Sequence, residues 1–185
     1  MRVGRGDDRG PPAARRASSA GAVVWITGLP SSGKSTLARR VSTRLRAAGR
    51  EPVLLDGDAV RAALVPAPGY DAAGRDAFYA TLARLAATLA QDGHLVLVAA
   101  TASRRAHREA ARALAPHFLE VWLDVPADEC ARRDPKGLWA RARAGDAPHL
   151  PGAGEPYETP ERPEVTARGG EDDDAVEEIL RQLGG

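Results

Sequence analysis

Cysteine is almost missing from this sequence. Cys130 stands alone among 185 residues, which excludes an internal disulfide framework and a cysteine-built metal cluster. Aromatic residues make up only 4%, so Ala, Leu and Val must fill the core. No apolar run approaches the ~18 residues that a membrane-spanning helix requires. The N-terminal stretch has no hydrophobic centre of the kind a signal peptide carries. Excess charge is missing too: 26 Lys and Arg face 25 Asp and Glu, for a formal net charge of +1. That balance gives no case for a nucleic-acid-binding protein. The expectation is a soluble, cytoplasmic protein with neither nucleic acid nor membrane as a partner. Its 43% hydrophobic residues are enough for the core of one domain.

What is present is organised around Gly28-Leu29-Pro30-Ser31-Ser32-Gly33-Lys34-Ser35-Thr36, which fits the phosphate-binding loop G-x-x-x-x-G-K-[ST]. The apolar run Ala22 to Ile26 before it predicts a buried strand. Leu37, Val41 and Leu45 after it are spaced as on one helical face. Strand, glycine-rich turn and helix is the context this motif needs. The turn points successive N–H groups inward, and the helix start adds partial positive charge. Lys34 can then reach the β- and γ-phosphates of ATP, and Ser35 can ligate Mg²⁺.

Met1 to Ala20 holds five arginines against Asp7 and Asp8 and almost no large apolar residue, and predicts a disordered basic leader. Pro52 to Leu55 predicts a second short buried strand, running into Asp56-Gly57-Asp58. Two carboxylates at a strand's carboxyl end stand where open α/β sheets place their ligands; as a bland alternative, they cap the next helix. Val65 to Gly74 predicts a loop, and Phe78, Leu82, Leu85 and Leu89 a helix. His94 to Ala100 and Phe118 to Asp124 predict two more buried strands, with a helix over Arg104 to Ala115 between them. A short helix follows at Asp128 to Arg133. The basic stretch Asp134 to Arg143 shows no apolar pattern; its bland alternative is a solvated face. Gly145 to Pro163 is rich in Gly and Pro, a long loop that either covers a substrate or links. Val176, Ile179, Leu180 and Leu183 predict a final helix with Glu171 to Asp174 at its start. Strands alternating with helices predict right-handed βαβ units and a mainly parallel sheet.

These pieces, in this order from Val23 to Leu183, resemble the adenylylsulfate kinase family of P-loop kinases. Leu55-Asp56-Gly57-Asp58 with Arg61 resembles its Leu-Asp-Gly-Asp motif. Gly69-Tyr70 with Arg75 resembles its substrate segment. Cys130 to Trp139, continued by Ala142 to Gly145, is similar to its lid, and Pro156 to Pro160 to a stretch near its C-terminus. The resemblance implies a three-layer α/β nucleotide-kinase fold over 21–185, with lid and substrate loop at about 134–163. It implies an ATP- and Mg²⁺-dependent kinase acting on the 3′-hydroxyl of adenosine 5′-phosphosulfate, and a homodimer. ATP would contact Gly28 to Thr36 and Arg133, with Mg²⁺ on Ser35. Lys34, Asp58 and Asp56 would be catalytic, Asp58 the base and Asp56 the second choice. The acceptor would contact Asp58, Arg61, Tyr70, Arg75, Phe78, Arg108, Lys136 and Leu150. Lys136, Arg141 and Arg143 would be lid cations, and the lid would be mobile until both substrates bind.

The chain departs from the family pattern at three places. Phe78 stands for an asparagine, Thr101-Ala102-Ser103 for Ile-Ser-Pro, and Leu150 for a phenylalanine that stacks on adenine. The loss of that ring and that amide keeps a second reading open, a same-scaffold kinase acting on another nucleotide conjugate or a secondary metabolite. A nucleotide-binding regulatory protein without turnover is the third.

Overall fold

The computed structural model describes residues 21–184; the leader expected over 1–20 lies outside them. Apolar runs form β1 (Ala22–Gly28), β2 (Val53–Asp56), β3 (Leu95–Ala99), β4 (Phe118–Leu123) and β5 (Val165–Ala167). They hydrogen-bond in the order β2-β3-β1-β4-β5, and every pairing is parallel. Parallel strands need crossovers, supplied by α1 (Lys34–Ala47), α2 (Gly57–Ala63), α3 (Ala72–Gln91), α4 (Arg105–Leu114), α5 (Ala127–Arg133) and α6 (Leu138–Arg143), with α7 (Asp173–Gln182) following β5. Helices cover both faces, which is why the central strands read as continuous hydrophobic runs.

Alternation along each strand sorts the core into two layers. Val24 and Ile26 of β1 face Leu37, Val41 and Leu45 of α1 and Val176 and Ile179 of α7. Val23 and Trp25 face the other way, onto Phe78, Leu82, Ala83, Ala86 and Ala90 of α3. The α3 face is therefore built largely from alanines. They let the helix lie close to the sheet, which is how a chain poor in aromatics fills this layer. Leu85, expected on that face, is 40% exposed.

Four further expectations change. β2 is only half-buried because it is the sheet's edge. α3 begins at Ala72, inside the expected loop, because Asp71 caps it by accepting from Gly74 N at 2.7 Å. Residues 138–143 form a helix whose Trp139 is buried and donates from Nε1 to Pro30 O at 3.2 Å. β5 was not expected at all. The acidic run does start α7, with Asp172 accepting from Ala175 N at 3.2 Å. Among the described residues no helix is long and apolar enough to cross a membrane.

Arg108, expected at the acceptor, is engaged by groups of the fold itself. It is buried, and Nε donates to Glu120 Oε1 at 2.6 Å, Nη1 to Ala102 O at 2.7 Å and Nη2 to Glu158 O at 2.7 Å. Glu120 in turn donates from its backbone N to Glu164 Oε2 at 2.6 Å, and Arg112 grips Glu164 through both terminal nitrogens. The network ties α4 and β4 to the 158–164 segment. Removing one partner of a buried pair strands the other charge, at a cost of about 3–5 kcal/mol. Glu120→Ala should lose stability of that order in a denaturant titration, and a loss below about 1 kcal/mol would show that the pair is not a structural anchor.

Candidate active site

β1 ends at Gly28, and the chain turns back over the sheet before α1 begins. Gly28 takes φ +151°, and a Cβ there would lie 3.0 Å from Leu123 O. Gly33 takes φ +104°, and a Cβ there would lie 2.6 Å from Gly170 N. The loop is therefore closed on two sides by backbone, and only glycine fits. Ser31 holds a left-handed φ of 67° inside it. Lys34 Nζ donates to Gly28 O at 3.0 Å and Leu29 O at 2.7 Å. Burial pushes its ammonium down from the usual range to about 8. Its hydrogen bonds thus go to carbonyls of its own loop, where an anion would relieve the cost of burying the charge.

A cleft of about 1850 Å³ opens over the carboxyl ends of the strands. A drug-sized ligand fills roughly 300–1,000 Å³, so this cleft has room for two. Pro30, Ser31 and Gly33 to Thr36 line it. Asp56 enters from the end of β2 and accepts from Ser35 Oγ at 2.5 Å and from Asp58 N at 3.0 Å. Burial alone would raise its carboxyl; the Ser35 hydroxyl and the N–H groups of Asp58 and Ala59 outweigh it and hold Asp56 below the usual carboxylate range. Asp56 therefore does both things the sequence left open: it caps α2 and it faces the phosphate-binding loop. Asp58, two residues on, lines the cleft and pairs with Lys136. That hydrogen bond raises the Lys136 ammonium above its usual range despite some burial.

Arg133 donates from Nη1 to Ser32 O at 3.4 Å and pairs with Glu129, which sets it beside the loop. Arg141 lines the cleft; Arg143 does not, because the α6 turn carries it to the outer surface. Among the residues expected at the acceptor, Arg61 is held by Pro68 O at 3.0 Å and Gly69 O at 2.9 Å. Its guanidinium lies 4.6 Å from the Tyr70 ring centroid and 3.9 Å from that of Phe78. Phe78 thus serves Arg61 as a cation–π plate, not as a replacement for an amide. Tyr70 is 62% exposed and stands at the rim. Leu150 lines the cleft but is mostly buried among the first core layer, which reduces its part in gripping a base. Arg75 also reaches the cleft. Ala102 takes φ 41° and gives its carbonyl to Arg108. Neither it nor Ser103 lines the cleft, whereas Thr101 does.

Sequence reasoning missed Arg168, Gly169 and Gly170, which follow β5 and line the same cleft. A Cβ on Gly170 would meet Gly33 O at 2.7 Å and Thr36 Cβ at 2.7 Å. The signal was there: a Gly-Gly pair directly after Val165-Thr166-Ala167 marks a close backbone approach. Also missed were His149 and Asp146 on the covering loop, which carry no motif.

Known proteins share this arrangement. The family model described as adenylylsulphate kinase matches residues 20–168. The bifunctional enzyme NodQ of Azospirillum brasilense is 46% identical over 165 residues, covering 88% of this chain, and this chain spans 27% of that protein's length. The adenylyl-sulfate kinase of Picosynechococcus sp. is 37% identical over 88% of this chain and 93% of its own length. The Mycobacterium tuberculosis APS kinase CysC, solved with AMPPNP and APS, superposes with a TM-score of 0.83 at 38% identity, covering 90% of this chain and 99% of that one. On the family-model match over residues 20–168 and the 37% identity to a kinase covered over 93% of its length, the chain belongs to the adenylylsulphate kinase family.

Proposed function

We propose that the protein is an ATP-dependent kinase that phosphorylates the 3′-hydroxyl of adenosine 5′-phosphosulfate, giving 3′-phosphoadenosine 5′-phosphosulfate and ADP. The carrying observation is one cleft that holds Lys34 and Ser35, the Asp56 carboxylate on Ser35, and Asp58 opposite with Lys136. The related M. tuberculosis kinase was solved with AMPPNP and APS in complex, which supports two nucleotide-sized ligands in a cleft of this kind.

Phosphoryl transfer asks for positioning and charge neutralisation more than for covalent chemistry. ATP would lie along Gly28 to Thr36, its β- and γ-phosphates drawing Lys34 Nζ off the loop carbonyls. Arg133 and Arg168 would flank it. The Ser35 hydroxyl and Asp56 carboxylate are hard oxygen donors, which fits Mg²⁺. No group of three or more acidic, His or Cys ligands exists among the described residues, so phosphate oxygens and water would complete the shell. When bound, the ion neutralises charge on the phosphate oxygens. Asp58 would orient the acceptor hydroxyl and take its proton as the new O3′–P bond forms and the bond from the γ-phosphorus to the bridging oxygen breaks. Lys136 would position the Asp58 carboxylate, and Arg141 would add positive charge as the covering loop excludes water. A cytoplasmic location and the homodimer that the resemblance implies belong to the same proposal; sedimentation velocity decides the latter.

One observation favours a second reading, a kinase with a different small anionic acceptor: Phe78 and Leu150 line the cleft but are largely buried, Phe78 under the Arg61 guanidinium and Leu150 in the first core layer, which leaves little of either for a base. A coupled assay separates the readings. ADP release should depend on adenosine 5′-phosphosulfate. Release with a different acceptor alone would favour the second reading, and none with any acceptor a non-catalytic nucleotide binder.

Asp58→Asn should lower kcat by about 10²–10⁴-fold with little change in ATP affinity. If Asp56→Asn costs more in kcat while ATP binding holds, the two roles are reversed. Lys34 gives a pH signature. In the free protein its ammonium titrates at about 8, and polyphosphate favours the charged form. Binding of ATP just above pH 8 should therefore take up a proton, and affinity should fall as pH rises further. Calorimetry in buffers of different ionisation enthalpy reads this directly, and zero uptake would argue against Lys34 as the phosphate cation.

A further inference from the structure

Arg75 is the acceptor-side arginine best placed to hold an anion, yet it is already holding one. Its Nη1 donates to Glu155 Oε2 at 2.6 Å, and Nη2 donates to the His149 carbonyl. His149 Nδ1 lies 3.0 Å from the other Glu155 oxygen. The Arg75 side chain is 9% exposed and that of Glu155 22%, so the pair is largely withdrawn from water. Glu155 is not a stray side chain. Gly152 N donates to Glu155 O at 2.7 Å, and Glu155 N to Leu150 O at 3.1 Å. A Cβ on Gly154 would lie 1.7 Å from Pro148 O, so the turn that delivers Glu155 depends on a glycine there. Residues 146–151 of the same loop line the cleft.

An anion arriving at this end of the cleft meets a neutral pair rather than a free cation. Arg61 cannot compensate readily, because its Nη1 is committed to Pro68 and Gly69 carbonyls and its faces to Tyr70 and Phe78. Arg108 is buried against Glu120. Two anions on the one guanidinium would repel each other in a partly dry site. We propose that Glu155 is a specificity-determining residue that competes with the acceptor: the acceptor's phosphosulfate binds by displacing the Glu155 carboxylate from Arg75, and the 150–156 turn loosens as it does. The inference rests on the acceptor proposed above.

Steady-state kinetics of the full chain with ATP and adenosine 5′-phosphosulfate test it. Glu155→Gln keeps an oxygen for Arg75 but removes the competing charge, and its KM for adenosine 5′-phosphosulfate should fall about tenfold, the scale of one charged contact. An unchanged or raised KM, or an effect confined to kcat, overturns the inference and makes Glu155 a residue that orients Arg75. A second measurement needs no variant. Adding adenosine 5′-phosphosulfate with ADP to the wild-type protein should speed amide exchange at Gly152 and Glu155, whose bonds close the turn; slower exchange there overturns displacement. Failure of the wild type to turn over adenosine 5′-phosphosulfate at millimolar concentration sinks the acceptor assignment instead, while turnover with the wrong KM response sinks only the role of Glu155.

Discussion

A buried ammonium that bonds only carbonyl oxygens of its own loop is the condition on which this site depends. Lys34 is held by Gly28 and Leu29, in a turn closed by Leu123 on one side and Gly170 on the other. The free protein carries a desolvated positive charge, and a polyphosphate is what that charge lacks. Everything else in the sheet serves to bring acidic and basic groups to this point. β1 delivers the loop, β2 its carboxylates, β3 the floor at Ala99 to Thr101, and β5 the backbone that seals the far wall.

The acceptor end follows the opposite rule. Its arginines are satisfied within the fold: Arg61 by two carbonyls and two rings, Arg75 by Glu155 and His149, Arg108 by Glu120 and two more carbonyls. The phosphate-binding half of the cleft thus holds a buried ammonium bonded only to carbonyls, whereas Arg75 and Arg108 are already paired with carboxylates. Such a division places the discrimination between acceptors in exchange of partners rather than in unmet charge.

Much of this was legible from residue pattern. The loop, the acidic pair and four strands announce themselves through period, glycine placement and apolar runs. Helix α6 did not, because four of the residues from Lys136 to Arg143 that catch the eye are basic or glycine, while the one that anchors it, Trp139, is a single buried ring. β5 is only three residues long and pairs at one side of β4, too short to show a period. Arg108 was assigned by likeness of position, and only the three-dimensional arrangement reveals that Glu120, twelve residues on, neutralises it. Glu155 carries no local pattern at all; its meaning arises from an arginine eighty residues earlier.

The contact between Gly33 and Gly170 has a mechanical consequence. Each occupies the space that a side chain on the other would need, so the backbone after β5 acts as a splint along the phosphate-binding loop. β5 pairs with β4 over three residues, and α7 behind it is held by Val176 and Ile179, buried in the first core layer. Substitutions that loosen this packing would withdraw the splint, and the loop would lose its wall. β5, α7 and the phosphate-binding loop therefore share one set of contacts, and a ligand that steadies the loop would steady the packing behind it as well.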